Sequence, residues 1–253
     1  MPHINVGNRI NTKSSSEQYD VVVVGEINAD LILQGNVVPS FGQVEQIVDE
    51  AALVLGSSSV IFACGASKLG LRTAFIGKVG DDIFGKYMIE SMKEKGVDIK
   101  GVIIDPAIQT GLSVILAKKN DRAILTYLGS IPALNYDEIN FDLISRCRHM
   151  HLGSFFMLDN LRPDIPKLFK KVKELGLSIS LDTNYDPEER WNGKLNETLK
   201  YVDMLFPNDT EATNISGAEN YEKAIDELAQ KVPLVAIKLG EAGAIVKASQ
   251  GPI

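Results

Sequence analysis

The sequence is poor in cysteine, and its two cysteines lie far apart. Cys64 and Cys147 form no CxxC pair, and two residues cannot build a framework of several disulfides. Neither a disulfide-stapled scaffold nor a CxxC motif is therefore present. The simplest interpretation is that the protein resides in a reducing cytoplasm.

Long apolar runs and an excess of positive charge are also missing. No apolar run reaches the roughly 20 residues that span a bilayer. Residues 1–18 lack the apolar core of a secretory signal, and we expect them to form a flexible tail. The 33 acidic residues outnumber the 26 basic ones and leave a net charge of −7. This balance disfavours nucleic acid and membranes as partners.

The length and the apolar content suit one large domain. Of the 253 residues, 45% are hydrophobic. From Tyr19 onwards, short β-branched runs such as Tyr19–Gly25 alternate with segments of helical period, which is typical of a largely parallel sheet covered by helices. We predict an α/β domain over residues 19–253. Further strands are predicted over residues 72–79, 149–153, 177–181, 203–206, 234–239 and 244–247.

Two stretches depart from this alternation. Residues 30–55 and 100–128 alternate apolar and polar side chains without a helical period, as a sheet with one solvated face does. We predict a small β appendage inserted into the α/β domain. It could serve as a lid, as a dimer surface, or as both.

Polar residues directly follow three of the predicted strands. These are Asn28 and Asp30, Asp182 and Asn184, and Asn208 with Glu211. Ligands of open α/β sheets bind beyond the carboxyl ends of the strands, so these groups could hold a small polar molecule. Structural alternatives exist: a local turn for the first pair, a helix capped by Asp186 and opened by Pro187 after the second, and a capping box for the third. No GxGxxG follows the first strand, which disfavours a dinucleotide-binding fold.

Two glycine turns are further candidates. The serines after Gly56, starting with Ser57, suit a helix N-terminus that meets a polar ligand, although they are also ordinary helix caps. The turn at Gly240 and Gly243 would let the backbone approach a nucleotide, with Lys238 as a point charge for phosphate. A simple hairpin explains these two glycines equally well.

Two other patterns favour structural roles. His149 and His151 share one face of a strand, but no third ligand is placed by spacing, so we do not expect a zinc site. The segment Gly80-Asp81-Asp82 is expected to cap the helix that follows it rather than to supply a catalytic pair.

In their order, these segments resemble the ribokinase-like carbohydrate kinases, also called the phosphofructokinase-B family. The matching text is VVVVGEINADL, ACGASKLGL, FIGKVGDDIFG, LDTNYDPEERW, DMLFPNDTEA and VAIKLGEAGA. The resemblance covers about residues 19–248, and FIGKVGDDIFG and PNDTEA are its most specific parts. It implies a three-layer α/β/α fold with a mostly parallel sheet and a small β-sheet lid, which in this family often also pairs subunits into a homodimer.

The resemblance also implies an activity, a metal ion and residue roles. The activity is transfer of the γ-phosphate of ATP to a sugar hydroxyl, with Mg²⁺ on the phosphates. The implied sugar-binding residues are Asn28, Asp30, Gly56, Ser57, Asp182, Asn184 and Arg190. The implied nucleotide-binding residues are Asn208, Lys238, Gly240 and Gly243, with Glu211 near Mg²⁺ through water.

The sequence departs from the family pattern in two ways. Ser57 replaces the second residue of a common double glycine, and Ile61 replaces a frequent asparagine, so the identity of the sugar stays open. No Gly-Ala-Gly-Asp segment, which carries the catalytic aspartate and the anion hole in this family, occurs in the chain. We therefore predict that the base lies beyond Ile253, that the chain is the N-terminal part of a longer kinase, and that alone it is nearly inactive.

Two other functions fit the same resemblance. A sugar-binding or sugar-sensing protein of this fold could have discarded the catalytic base, and a nucleoside kinase would share the fold and differ in its acceptor. The coding sequence downstream of residue 253 and a ligand screen separate these alternatives.

Overall fold

The computed structural model describes residues 19–119 and 121–249, and the predicted tail over residues 1–18 lies outside them. Within the described residues, twelve strands form two sheets, and seven α-helices accompany them. The strands are β1 (Val21–Val24), β2 (Asn28–Gln34), β3 (Glu50–Leu55), β4 (Thr73–Gly80), β5 (Asp98–Asp105), β6 (Gly111–Lys118), β7 (Asp121–Tyr127), β8 (His149–Leu152), β9 (Ser178–Leu181), β10 (Met204–Leu205), β11 (Leu234–Lys238) and β12 (Ala244–Ala248). The helices are α1 (Ser58–Lys68), α2 (Ile83–Glu94), α3 (Phe141–Ser145), α4 (Ile165–Glu174), α5 (Leu195–Thr198), α6 (Asp209–Ser216) and α7 (Tyr221–Ala229).

The large sheet has eight strands in the order β12-β11-β10-β9-β8-β1-β4-β5. Only β12 pairs antiparallel with its neighbour, so the predicted mostly parallel sheet is confirmed. Every strand predicted outside the appendage lies in this sheet.

Helices cover both faces of the large sheet. Val22 and Val24 of β1 pack in one hydrophobic core with residues of α4 and α7, while Val21 and Val23 pack in a second core with residues of α1 and α2. A strand buried on both faces reads as a continuous apolar run, which is why these four valines stand in a row. The fold is thus a three-layer α/β/α arrangement.

The small sheet has four strands in the order β3-β2-β6-β7. Residues in register share a face, so Asp30, Ser113 and Thr126 form a polar row on one face, called the polar face below, which also carries Ile115 and Ile124. The opposite face carries an apolar row across all four strands. This row, called the outer row below, consists of Leu53, Leu31, Val114 and Leu125.

One boundary of the predicted appendage is wrong. Residues 100–105 belong to β5, which pairs parallel with β4 at the edge of the large sheet. As an edge strand, β5 is partly exposed, so it shows the same alternation of apolar and polar residues as a sheet with one solvated face. The second part of the small sheet starts only at Gly111.

Two expectations from composition can be compared with the structure. Cys64 and Cys147 are both buried and free. Among the helices of the described residues, none combines the length and the apolar character needed to cross a membrane.

Candidate functional site

Five adjacent strands of the large sheet carry polar side chains at or just beyond their carboxyl ends. These are Glu26 after β1, Ser154 after β8, Asp182 after β9, Asn208 after β10 and Lys238 at the end of β11. Neighbouring strands lie about 4.8 Å apart, so the row extends over roughly 19 Å. It is long enough for two ligands side by side.

A pocket of about 650 Å³ opens at the β1 end of this row. Its floor combines Asn28 and Asp30 of β2, in the small sheet, with Ser57, Ser58 and Asn184 of the large domain. Its wall comes from the polar face of the small sheet and includes Ser113, Ile115, Ile124 and Thr126. This volume suits a small molecule, and both sheets are needed to enclose it.

Asn28 and Asp30 form a polar pair on the floor. The Asn28 Nδ2 donates to Asp30 Oδ1 at 2.9 Å. Burial raises the pKa of Asp30, whereas the charge of Arg122 on β7 and the bond from Asn28 favour the ionised form. A Cβ at Gly56 would overlap Asp30 Oδ1 and lie 2.6 Å from Asn28 Nδ2, so glycine is required for this close approach.

Glu26 was not singled out from the sequence, although it lines the pocket and is only 5% exposed. Its carboxyl group accepts hydrogen bonds from the hydroxyls of Ser57 at 2.9 Å, Ser154 at 2.9 Å and Ser59 at 2.5 Å. Burial raises the pKa of Glu26, and these hydroxyl donors oppose the shift. The sequence shows that Glu26 follows the first strand, but it does not show that Ser154, 128 positions away, lies beside it.

Three residues of the site have left-handed backbones. The φ angles are 66° at Ser57, 54° at Ser154 and 58° at Asn184. Such conformations cost about 1–3 kcal/mol for residues other than glycine and concentrate at functional sites. Ser57 also caps α1 by accepting from the Val60 N–H at 3.0 Å, so the capping role considered for the serines is confirmed for Ser57.

A second cluster lies further along the row. The Lys238 Nζ donates to Asp182 Oδ2 at 2.6 Å, and Asn208 pairs with Lys238 in an isolated parallel bridge. Asn208 and Glu211 form the capping box considered above, because Asn208 Oδ1 accepts from the Glu211 N–H and both Glu211 oxygens accept from Asn208. Burial raises the pKa of Glu211, and the nearby charge of Asp182 adds to the rise.

The turn beside this cluster is a hairpin. Gly240–Ala242 form one turn of 3₁₀-helix between the antiparallel strands β11 and β12, and the Leu239 N–H donates to the Gly243 carbonyl. Gly240 and Gly243 have φ angles of 57° and 88°, and a Cβ at either position would meet no atom within 4 Å. The backbone is therefore open to a ligand at this turn.

Other candidates lie outside both clusters. Asp186 caps no helix but accepts from the N–H groups of Glu188, Arg190 and Trp191, so the predicted helix at Pro187 is a turn instead. The Arg190 side chain is 68% exposed, lies 3.5 Å from Glu188 and is not among the residues lining the pocket.

The residues expected to have structural roles make local contacts. His149 contacts the hydroxyls of Ser178 and Ser180, and His151 contacts that of Ser180. Asp82 caps α2 by accepting from the Gly85 N–H, which confirms its predicted role.

Proteins of similar sequence are described as sugar kinases. An uncharacterized sugar kinase of Archaeoglobus fulgidus is 31% identical over 184 residues, which are 72% of this chain and 72% of the relative. A probable fructokinase of Arabidopsis thaliana is 28% identical over 199 residues, which cover 74% of this chain and 61% of the relative. The chain thus spans between three fifths and three quarters of these relatives.

Structural similarity covers almost the whole described fold. The crystal structure of a putative ribokinase II from E. coli in complex with ATP and Mg²⁺ superposes with a TM-score of 0.78 at 23% identity, over 91% of this chain and 76% of that one. The profile of the pfkB family carbohydrate kinases matches residues 18–253. The chain belongs to the pfkB family of carbohydrate kinases.

Proposed function

We propose that this chain provides the sugar site and part of the nucleotide site of an ATP-dependent sugar kinase, which transfers the γ-phosphate of ATP to a sugar hydroxyl. The observation that carries the proposal is the position of the pocket. It lies on the same edge of the sheet as the cluster of Asp182 and Lys238, with Asn184 lining the pocket two residues beyond Asp182. Phosphoryl transfer depends chiefly on such side-by-side positioning of acceptor and phosphate.

The sugar lies in the pocket in this proposal. Asn28 and Asp30 bind sugar hydroxyls, and the close approach of Gly56 keeps both side chains in place. Ser57 and Asn184 complete the floor. Arg190, which the family resemblance assigns to the sugar, has no contact with the pocket, so we give it no role in the structure described.

The nucleotide lies along the second cluster. Lys238 supplies positive charge for phosphate, and the open backbone at Gly240 and Gly243 receives the nucleotide. Asn208 orients Glu211 through the capping box. The carboxylates of Asp182 and Glu211 are hard oxygen donors that suit Mg²⁺, and because both Glu211 oxygens already accept from Asn208, contact through water fits best. When bound, Mg²⁺ neutralises charge on the phosphates.

No residue of the chain is assigned as the catalytic base. Asp182 is a poor substitute for this base, because its carboxylate is paired with Lys238.

Calorimetric titration of the 253-residue chain tests the proposal. Sugars and nucleosides are titrated one at a time, followed by ATP with Mg²⁺. We expect one sugar class to bind, and Lys238→Met to weaken ATP binding about tenfold or more. Lys247→Met is the matched control, since this lysine lies on β12, is similarly exposed and is paired with Asp226 away from the cluster. Binding of nucleosides alone, or of no acceptor, would overturn the assignment.

The small sheet acts as a lid and as a dimer surface in this proposal. Its polar face lines the pocket, while Leu53 and Leu125 of the outer row are 38% and 61% exposed. A second copy of the chain could cover this apolar face. Analytical ultracentrifugation is expected to detect a dimer that Leu125→Asp dissociates, and a monomer at all concentrations would contradict this part. The free, buried Cys64 and Cys147 support a cytoplasmic location.

A further inference from the structure

Glu26 has no part in the proposed chemistry, yet the chain around it is closely fitted. A Cβ at Gly25 or at Gly153 would overlap the Ser59 hydroxyl, so glycine at both positions lets Ser59 reach the carboxyl group. Ser57 and Ser154, its other two close partners, have left-handed backbones. Three chain segments thus adopt constrained conformations around one buried side chain.

The hydrogen bonds determine where each proton points. Ser154 donates its single hydroxyl proton to Glu26 Oε1 at 2.9 Å. Its oxygen also lies 2.7 Å from Ser58 Oγ and 3.2 Å from Asn184 Nδ2. Ser58 Oγ also lies 3.4 Å from Glu26 Oε1 as a donor. Because Ser154 spends its single proton on Glu26, the Ser58 proton points to Ser154, the shorter contact, or to Glu26 itself. Ser58 therefore turns only its lone pairs towards the pocket that it lines.

The other polar groups of the floor offer two acceptors and one donor. Asn28 donates to Asp30 and weakly to the Ala29 carbonyl, which leaves its own oxygen and the Asp30 carboxylate as acceptors. Asn184 donates one amide proton to Ser154 and keeps the second for a ligand, while its oxygen accepts from the Tyr185 N–H. A ligand therefore meets acceptors at Ser58, Asn28 and Asp30.

We propose that Glu26 is a positioning residue which, through Ser154, fixes the Ser58 hydroxyl as a hydrogen-bond acceptor and thereby selects ligands that present a hydroxyl donor at this point. The inference rests on the proposed sugar-binding function. It depends only on Oε1, which accepts from Ser57 and Ser154, and holds equally when Oε2 carries a proton facing Ser59.

Fluorinated sugars provide the test, because a C–F group cannot donate a hydrogen bond. Affinities of the full chain for D-fructose, D-ribose and their monodeoxyfluoro analogues are measured by calorimetry. At the position that meets Ser58, fluorine is expected to weaken binding about tenfold, the effect of one lost hydrogen bond. Glu26→Met removes the acceptor, so Ser154 can donate to Ser58, and the preference for hydroxyl over fluorine is expected to fall to about twofold.

A conservative variant and a matched control separate positioning from folding. Glu26→Gln can keep an oxygen at the Oε1 position, with its amide group facing Ser59, so it should retain the tenfold preference. Ser59→Ala removes a partner of Oε2 that does not line the pocket, so it should lower the melting temperature without changing the preference. Equal preferences in the wild type and Glu26→Met would overturn the inference.

The wild type and one further variant test the inference if Glu26→Met does not fold. Tolerance of fluorine at every position by the wild-type chain would overturn it directly. Ser58→Ala leaves Glu26 and Ser154 in place and is expected to abolish the preference at a single position; an unchanged preference would also overturn it. If the wild type binds no sugar at all, the proposed function fails together with this inference.

Discussion

The two sheets of this protein use similar residues for different purposes. In the large sheet, all four valines of β1 are buried, and helices cover both faces. In the small sheet, every residue of β7 is exposed, as are the first four of β3. The large sheet therefore provides most of the hydrophobic stabilisation. The small sheet is held mainly by the hydrogen bonds between its strands and by β2, which is partly buried.

The polar groups of the two sheets differ in the same way. Glu26, at the edge of the large sheet, accepts from four serine hydroxyls and has almost no solvent contact. On the small sheet, Ser113 and Thr126 contact each other across β6 and β7 at 3.0 Å. The edge of the large sheet and the start of β2 thus carry the buried polar contacts, and we expect β6 and β7 to supply a wall whose residues can be changed at little cost in stability.

Truncation of a leucine in each region should give the largest contrast. Leu168 of α4 is fully buried, and Leu168→Ala should lower the free energy of unfolding by about 2–5 kcal/mol. Leu125→Ala in β7, measured at concentrations where the chain is a monomer, should change it by less than about 0.5 kcal/mol, because this side chain is then 61% exposed. Urea unfolding followed by circular dichroism measures both, and similar losses would contradict the comparison.

Acid should destabilise the large sheet through its histidines. Burial lowers the pKa of His149 to about 4 and that of His151 to about 3. Between these values and the ordinary value near 6.5, the unfolded chain binds protons that the folded chain does not, so stability falls as the pH falls. The expected slope is about 1.4 kcal/mol per pH unit for each histidine.

Single variants isolate this slope from the other titrating groups. Burial raises the pKa values of Glu26, Asp30 and Glu211, which favours the folded state as the pH falls and opposes the histidines. Unfolding of the wild type, His149→Gln and His151→Gln is compared in urea from pH 6.5 to 5. Each variant should show a shallower dependence, and three parallel curves would refute the assignment.

A methyl group at Gly56 should disrupt binding more than folding. Gly56→Ala pushes against Asp30 and Asn28, so affinity for the bound sugar should fall about tenfold or more in calorimetry. Gly65→Ala is the matched control, because a Cβ there meets no atom within 4 Å and helix α1 should gain about 0.5–1 kcal/mol. Unchanged affinity in Gly56→Ala would show that the sugar does not depend on this pair.

A change in the wall should give the smallest effect. Ile124 lines the pocket from β7 and is 50% exposed. Ile124→Ser should weaken sugar binding about threefold through lost apolar contact and leave the urea midpoint almost unchanged. A large loss of stability would instead mean that the small sheet is part of the folding core.

Much of the fold could be predicted from local patterns. The continuous valines of β1 and the β-branched runs elsewhere indicated the strands of the large sheet. The error at residues 100–105 arose because an edge strand and a one-sided sheet share the same alternation. The turn at Pro187 was missed because Asp186 binds three backbone N–H groups that lie after it, and sequence alone does not distinguish such a turn from a helix cap.

The candidate site was predictable only in part. Asp182 and Asn208 could be found because they follow strands, and parallel strands end at a common edge. Asn28 could be found because it comes soon after β1, although it opens β2 of the small sheet. Glu26 was missed, although it stands two positions from Asn28, because burial and hydrogen bonding give it its significance. The wall residues Ile115 and Ile124 could not be assigned to the pocket, since an alternating strand does not reveal which face meets a ligand.

By itself, the sequence determined the order of the strands and helices and the ends at which polar groups stand, because period and residue type act over a few neighbouring positions. The tertiary structure alone decided which of these groups meet. Ser154 lies 128 positions from Glu26, and the wall of the pocket comes from strands of a separate sheet. Hydrogen bonds between buried groups depend on such distant contacts, and no local pattern encodes them.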